Sequence, residues 1–100
     1  MLGLAARAGK IASGEFAVEK AVKTGHAYLV VVASDSSDNT KKMFSNMCRY
    51  YQVPMVLYSD KETLGHGIGR MTRAAAAVLD AGFAKAVVKQ MNTSKEKVGE

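Results

Sequence analysis

One hundred residues, 48% of them hydrophobic, suffice for one domain with one core and exclude both a two-domain enzyme and a disordered chain. A net charge of +5, from 14 Lys and Arg against 9 Asp and Glu, favours an anionic partner, nucleic acid ahead of an acidic membrane surface. The single cysteine, Cys48, rules out an internal disulfide, and no apolar stretch approaches the length of a bilayer span.

The opening MLGLAARAGK has too short an apolar run for a secretory signal, and Arg7 and Lys10 lie on the wrong side of it, which predicts a cytoplasmic protein. LGLAARAG has helical apolar spacing and a glycine stop at Gly9; KIAS reads as a short extended piece. A second helix is predicted over residues 15 to 24, with Ser13 as N-cap, Glu15 as a first-turn acid and Gly25 as its stop. Ala17, Val18, Ala21 and Val22 cluster on one side of that helix, so Phe16 points the other way, toward Lys20 and Lys23.

YLVVVAS is a β-branched run without alternation, as in a central strand buried on both faces. SDSSDNT follows as a polar loop, in which Asp38 suits a helix cap. Met43, Phe44, Met47, Cys48 and Tyr51 then trace a helical stripe, leaving Lys41, Lys42, Asn46 and Arg49 outside it and Cys48 as a buried, inert thiol. VPMVLYS is expected to be a second buried strand, starting at Val53 and Pro54, and DKETLG a short helical turn closed by Gly65. Four alanines in AAAAVLD favour helix by propensity, but the alternation of elements makes it a strand. GFAKAVVKQ is a last helix with Phe83, Ala84, Val87 and Val88 on one face, and MNTSKEKVGE lacks a hydrophobic pattern. The reading is therefore an α/β fold, a single domain over residues 1–90 with a flexible tail over 91–100.

Chemistry has few places to sit. GHGIG at residues 65 to 69 fails the dinucleotide fingerprint, which needs G-x-G-x-x-G between a strand and a helix, and no Gly-Lys-Ser/Thr follows to make a P-loop. His26 and His66 have no metal-ligand spacing; His26 suits a helix C-terminus and His66 a solvent-facing or RNA-contacting position. Asp35 lies at the carboxyl end of the central strand, where with Asp38 it could bind a cation or act as a base, or simply cap. No catalytic constellation, metal site or cofactor is predicted. Lys20, Lys23, Arg70 and Arg73 form the basic set that phosphates would meet. Phe16 either adds a stacking surface, worth roughly 1–3 kcal/mol per base, or packs under a following loop against Met71.

The ordered motifs LGLAARAGK, SGEFAVEKAV, YLVVVASDSSDNTKK, YYQVPMV, DKETLGHGIGR and GFAKAV resemble the YlxQ-type bacterial branch of the ribosomal protein L-seven-Ae superfamily, over nearly residues 1 to 90. The resemblance implies a three-layer α/β/α sandwich around a mixed sheet of about four strands. It also implies that AAAAVLD is a strand and that the chain starts within the family's first helix. Relatives grip the sheared G·A pairs of a kink-turn RNA with Gly-Thr-Asn-Glu and a following Lys at the start of the second helix. Matched without gaps, these fall on Gly14, Glu15, Phe16, Ala17 and Lys20, and the loop over the extruded nucleotide on Arg70, Met71, Thr72, Arg73 and Ala74. Phe16 and Ala17 lack the polar atoms that read guanine edges, which leaves backbone approach, cations and stacking.

What the resemblance implies is a non-catalytic, ribosomal or ribosome-associated RNA-binding protein. It would be monomeric, with structured RNA and ribosomal proteins as partners and no membrane contact. Two alternatives from the residues stay open: a protein-interaction module anchored by Phe16, and a small nucleotide-binding domain around Asp35 and the glycine loop.

Overall fold

The computed structural model describes residues 2–58, 60–62, 64 and 73–89. In chain order these form α1 (Leu2–Arg7), β1 (Ile11–Ser13), α2 (Glu15–Lys23), β2 (Leu29–Ala33), α3 (Asp38–Tyr51) and β3 (Met55–Tyr58). Residues 61, 62 and 64 are helical, β4 is Ala75–Val78, and residues 81–89 form α4. The strand order is β1-β4-β2-β3, with β4 antiparallel to both neighbours and β2 parallel to β3, so the sheet is mixed.

Alternation along the strands builds two cores. Leu29, Val31, Ala33, Ala76 and Val78 face Leu64 and the Ala84 and Val87 side of α4, with Ala6 of α1 packed alongside. Val30, Val32, Ala75 and Ala77 face Val18, Ala21 and Val22 of α2 and Phe44 and Cys48 of α3. The result is a three-layer α/β/α sandwich. β4 keeps its alanines in extended form because it is buried on both faces and paired on both sides, and that tertiary demand outweighs helix propensity. Within α3 only Phe44 and Cys48 are fully buried; Met43 and Tyr51 lie at the exposed margin of the expected stripe.

Three expectations are corrected. β3 is not a second buried strand but an edge strand with one neighbour, half-buried, and Leu57 is 52% exposed. Ser13 does not cap α2, because it is the last residue of β1, and Gly14 takes the N-cap position. Asp38 is the first residue of α3 rather than its cap; Ser37 caps instead, its hydroxyl accepting from Thr40 N.

Candidate nucleic-acid interface

The sheet topology brings the described residues of the expected site, apart from Lys23, to one edge. β1, β2 and β3 run the same way and β4 runs against them, so three carboxyl ends and the start of β4 meet there. Gly14 N donates to Ala75 O at 3.0 Å, Ala33 N to Ala74 O at 2.8 Å, and Ser34 N to Tyr58 O at 2.8 Å. Arg73 N donates to Lys61 O at 3.1 Å, and Lys61 N donates to Asp35 Oδ1 at 2.9 Å. Asp35 therefore caps the turn that opens at Lys61, the capping role that the sequence also allowed.

The chain turns from β1 into α2 at Gly14, with φ +95° and ψ 152°, a conformation nearly confined to glycine. With glycine at the N-cap, no side chain covers the start of α2, and the first intrahelical bond is Val18 N to Gly14 O at 3.0 Å. The N–H groups of the first turn consequently point out of the helix with its positive dipole end. Phe16 stands on this turn, 81% exposed, opposite the buried Val18, Ala21 and Val22. Met71, the loop residue against which Phe16 could alternatively pack, lies outside the described residues. Lys20 is exposed one turn further on.

Glu15 reaches across to α3. Its Oε1 accepts from Thr40 Oγ1 at 3.3 Å, and Thr40 Oγ1 in turn accepts from Ser37 Oγ at 2.9 Å. This short relay ties the starts of α2 and α3 together. Neither Ser37 nor Thr40 stood out in the sequence; the only signal was a serine three residues ahead of a threonine within a run of possible caps. The Asp35–Lys61 contact, 26 residues apart, had no local signal at all.

Lys23 is not brought into the group. Its Nζ lies 2.7 Å from Glu19 Oε1 at the far end of α2, and that hydrogen bond, followed by the carboxylate's charge, raises its pKa, with a smaller contribution from Tyr51. His26 Nδ1 is 2.8 Å from Thr24 Oγ1 at the same far end. Arg70, Met71, Thr72 and His66 lie outside the described residues. Arg73 is half-buried and held through its backbone. Among the described residues, Glu15, Asp35, Asp38, Asp60 and Glu62 lie along this edge together with Lys41, Lys42, Lys61 and Arg73, so acids and cations are interspersed here. No group of three or more His, Cys, Asp or Glu that could hold a metal ion occurs among the described residues. Nor is any helix among them long and apolar enough to cross a membrane.

The family model described as Ribosomal protein L7Ae/L30e/S12e/Gadd45 family matches residues 1–88. The chain belongs to this family. It is 41% identical over 88 residues to the RNA-binding protein YlxQ of Bacillus subtilis (strain 168), covering 88% of each chain. It is 40% identical over 86 residues to the RNA-binding protein YlxQ of Enterococcus faecium, covering 85% of this chain and 82% of that one. A solved structure of a protein with unknown function from Bacillus halodurans C superposes with a TM-score of 0.87 at 38% identity, over 91% of this chain and 92% of the other. Family membership and the shared sandwich agree with the resemblance carried by the ordered motifs.

Proposed function

We propose that this family member is a non-catalytic RNA-binding protein of the ribosome or its assembly, and that it takes a structured, kink-turn-like RNA at the start of α2 and the loop before β4. The observation that carries the reading is Phe16, 81% exposed on the first turn of a helix that opens on a glycine. An aromatic face beside outward N–H groups suits an unstacked base and its phosphate. Relatives 40% and 41% identical to the chain are RNA-binding proteins by name. Gly14 would allow close approach of the RNA backbone, Lys20 would pair with a phosphate, and Arg70 to Arg73 would cover the kink. Because Phe16 and Ala17 stand where guanine-reading side chains are expected, recognition would rest on shape, stacking and phosphates more than on base edges.

The test is a titration of labelled kink-turn RNA, and of the same RNA with its sheared G·A pairs replaced, across a range of salt. Wild type should prefer the kinked RNA. Lys20→Ala should weaken binding and lower the salt slope by about 0.7 to 0.9, the value for one phosphate. Lys23→Ala should change the slope less, because Glu19 already holds that ammonium. Equal affinity for both RNAs, or a Lys20→Ala slope identical to wild type, refutes the placement.

A further inference from the structure

The opposite end of the sheet carries a second feature. β4 ends between β1 and β2: Leu79 N donates to Lys10 O and Tyr28 N donates to Val78 O, each at 2.8 Å. Lys10 and Tyr28 therefore flank the end of one strand, about two strand spacings, or roughly 10 Å, apart. α3 finishes at the same end, where Val53 N donates to Cys48 O at 2.8 Å just before β3 begins. Its last turn holds Arg49, Tyr50 and Tyr51. Tyr51 also lies close enough to Lys23, in the last turn of α2, to act on its charge. Three of the four tyrosines of the chain thus gather at one pole, exposed by 51% at Tyr28, 80% at Tyr50 and 40% at Tyr51.

The rings are arranged for stacking. Tyr50 and Tyr51 have centroids 4.9 Å apart and planes at 77°, an edge-to-face pair that makes a corner. A flat base laid on one ring meets the edge of the other. Charge at this pole also differs from that at the Phe16 edge. The described carboxylates here are Glu19, paired with Lys23, and Asp80, which accepts from Phe83 N at 3.0 Å to cap α4. Lys10 and Arg49 form no ion pair among the described residues. The carboxyl ends of α2 and α3 bring partial negative charge, which reduces but does not cancel the positive charge of Lys10 and Arg49. Stacking would therefore supply most of the affinity, with cations adding phosphate contacts. The exposed aliphatic side chain of Leu57 is at the far end of β3, so the patch is aromatic and cationic rather than greasy.

We propose that this pole, built on Tyr28, Tyr50 and Tyr51 with Lys10 and Arg49, is a second RNA surface that takes an unpaired, single-stranded segment. It goes beyond the α2 site and uses none of that site's residues; Lys23 lies at this pole, paired with Glu19, and the proposal does not depend on it. Aromatic faces beside cations bind single strands with little sequence preference, which suits a flanking strand of a structured RNA.

The probe is a short labelled oligouridylate, which lacks the kinked shape proposed for the α2 edge. It is titrated against the Phe16→Ala protein so that a base stacked on Phe16 does not contribute. Tyr50→Ala should weaken its binding about tenfold, about 1.4 kcal/mol, while Tyr50→Phe retains it. Arg49→Ala should lower the salt slope by about 0.7, one phosphate on a single strand. The Tyr50→Ala loss should persist in the Phe16→Ala background, so failure here is distinct from failure of the kink-turn reading. Wild-type affinity in both Tyr50→Ala and Arg49→Ala overturns the proposal, as does the absence of oligouridylate binding. A concentration-dependent dimer in sedimentation that Tyr50→Ala abolishes would overturn it too, by assigning the patch to contact between copies of the chain.

Discussion

Phe16→Ala separates packing from recognition because the two roles predict different magnitudes. With the ring 81% exposed, only about a fifth of its surface leaves water on folding. Full burial of a phenylalanine is worth about 1.5–3 kcal/mol, so the lost burial amounts to about 0.3–0.6 kcal/mol. Alanine is the better helix former by roughly 0.5 kcal/mol, which nearly cancels that loss. The melting temperature should therefore move by no more than about 4 °C, since about 1 kcal/mol shifts a domain of this size by about 4–8 °C. Removing a stacked base contact should instead cost about 1–3 kcal/mol of RNA affinity, or roughly fivefold to 150-fold. Thermal melts by circular dichroism and anisotropy titrations with the kink-turn RNA read both quantities on the same preparation. A fall in melting temperature beyond about 8 °C would show that Phe16 is a core residue after all. Unchanged RNA affinity with unchanged stability would remove it from the interface.

Gly14→Ala tests the turn that opens α2. No atom of the described residues lies within 4 Å of an added Cβ, so the cost is that of holding alanine at φ +95°. That strain should destabilise the protein by about 1–3 kcal/mol, read as a lower urea midpoint at unchanged m-value; an unaltered midpoint would refute the assigned backbone. Cys48 offers a pH test. Burial raises its thiol from 9.0 to about 11. The folded state thus holds a proton that the unfolded state releases, and the stability this represents is intact below pH 9 and lost as pH rises toward 11. Relative to Cys48→Ala, the wild-type urea midpoint should fall through that window and run parallel below it; parallel curves throughout would contradict a buried thiol.

The layers were legible where burial is written as pattern. The unalternating LVVVA of β2 and the apolar side of α2 need nothing beyond their own spacing, and both formed as read. β3 misled because its MVLY composition does not encode how many neighbours a strand has, and an edge position follows only from strand order. Caps misled for a related reason. Ser13, Ser37 and Asp38 are all competent cap residues, and the choice among them depends on where the strand before each helix stops pairing. At the candidate site, Gly14, Phe16 and Lys20 were visible as one helical start. The Glu15–Thr40–Ser37 relay was not, since it joins elements through space.

Charge placement bears on how the two ends of the sheet would bind. Among the described residues, the carboxylates of the Phe16 edge are interspersed with Lys41, Lys42, Lys61 and Arg73, whereas Lys10 and Arg49 form no ion pair at the tyrosine pole. A net charge of +5 would give the whole chain a long-range pull toward RNA, but it would not by itself orient the Phe16 edge toward it. Binding at that edge would combine short-range terms, a stacked ring and helix N–H groups, with the cations Lys20, Arg70 and Arg73. The ring and the N–H groups release few counterions, so Phe16→Ala should cut affinity while leaving the salt slope near its wild-type value. Affinity and slope both unchanged by Phe16→Ala would mean that cations alone carry the complex.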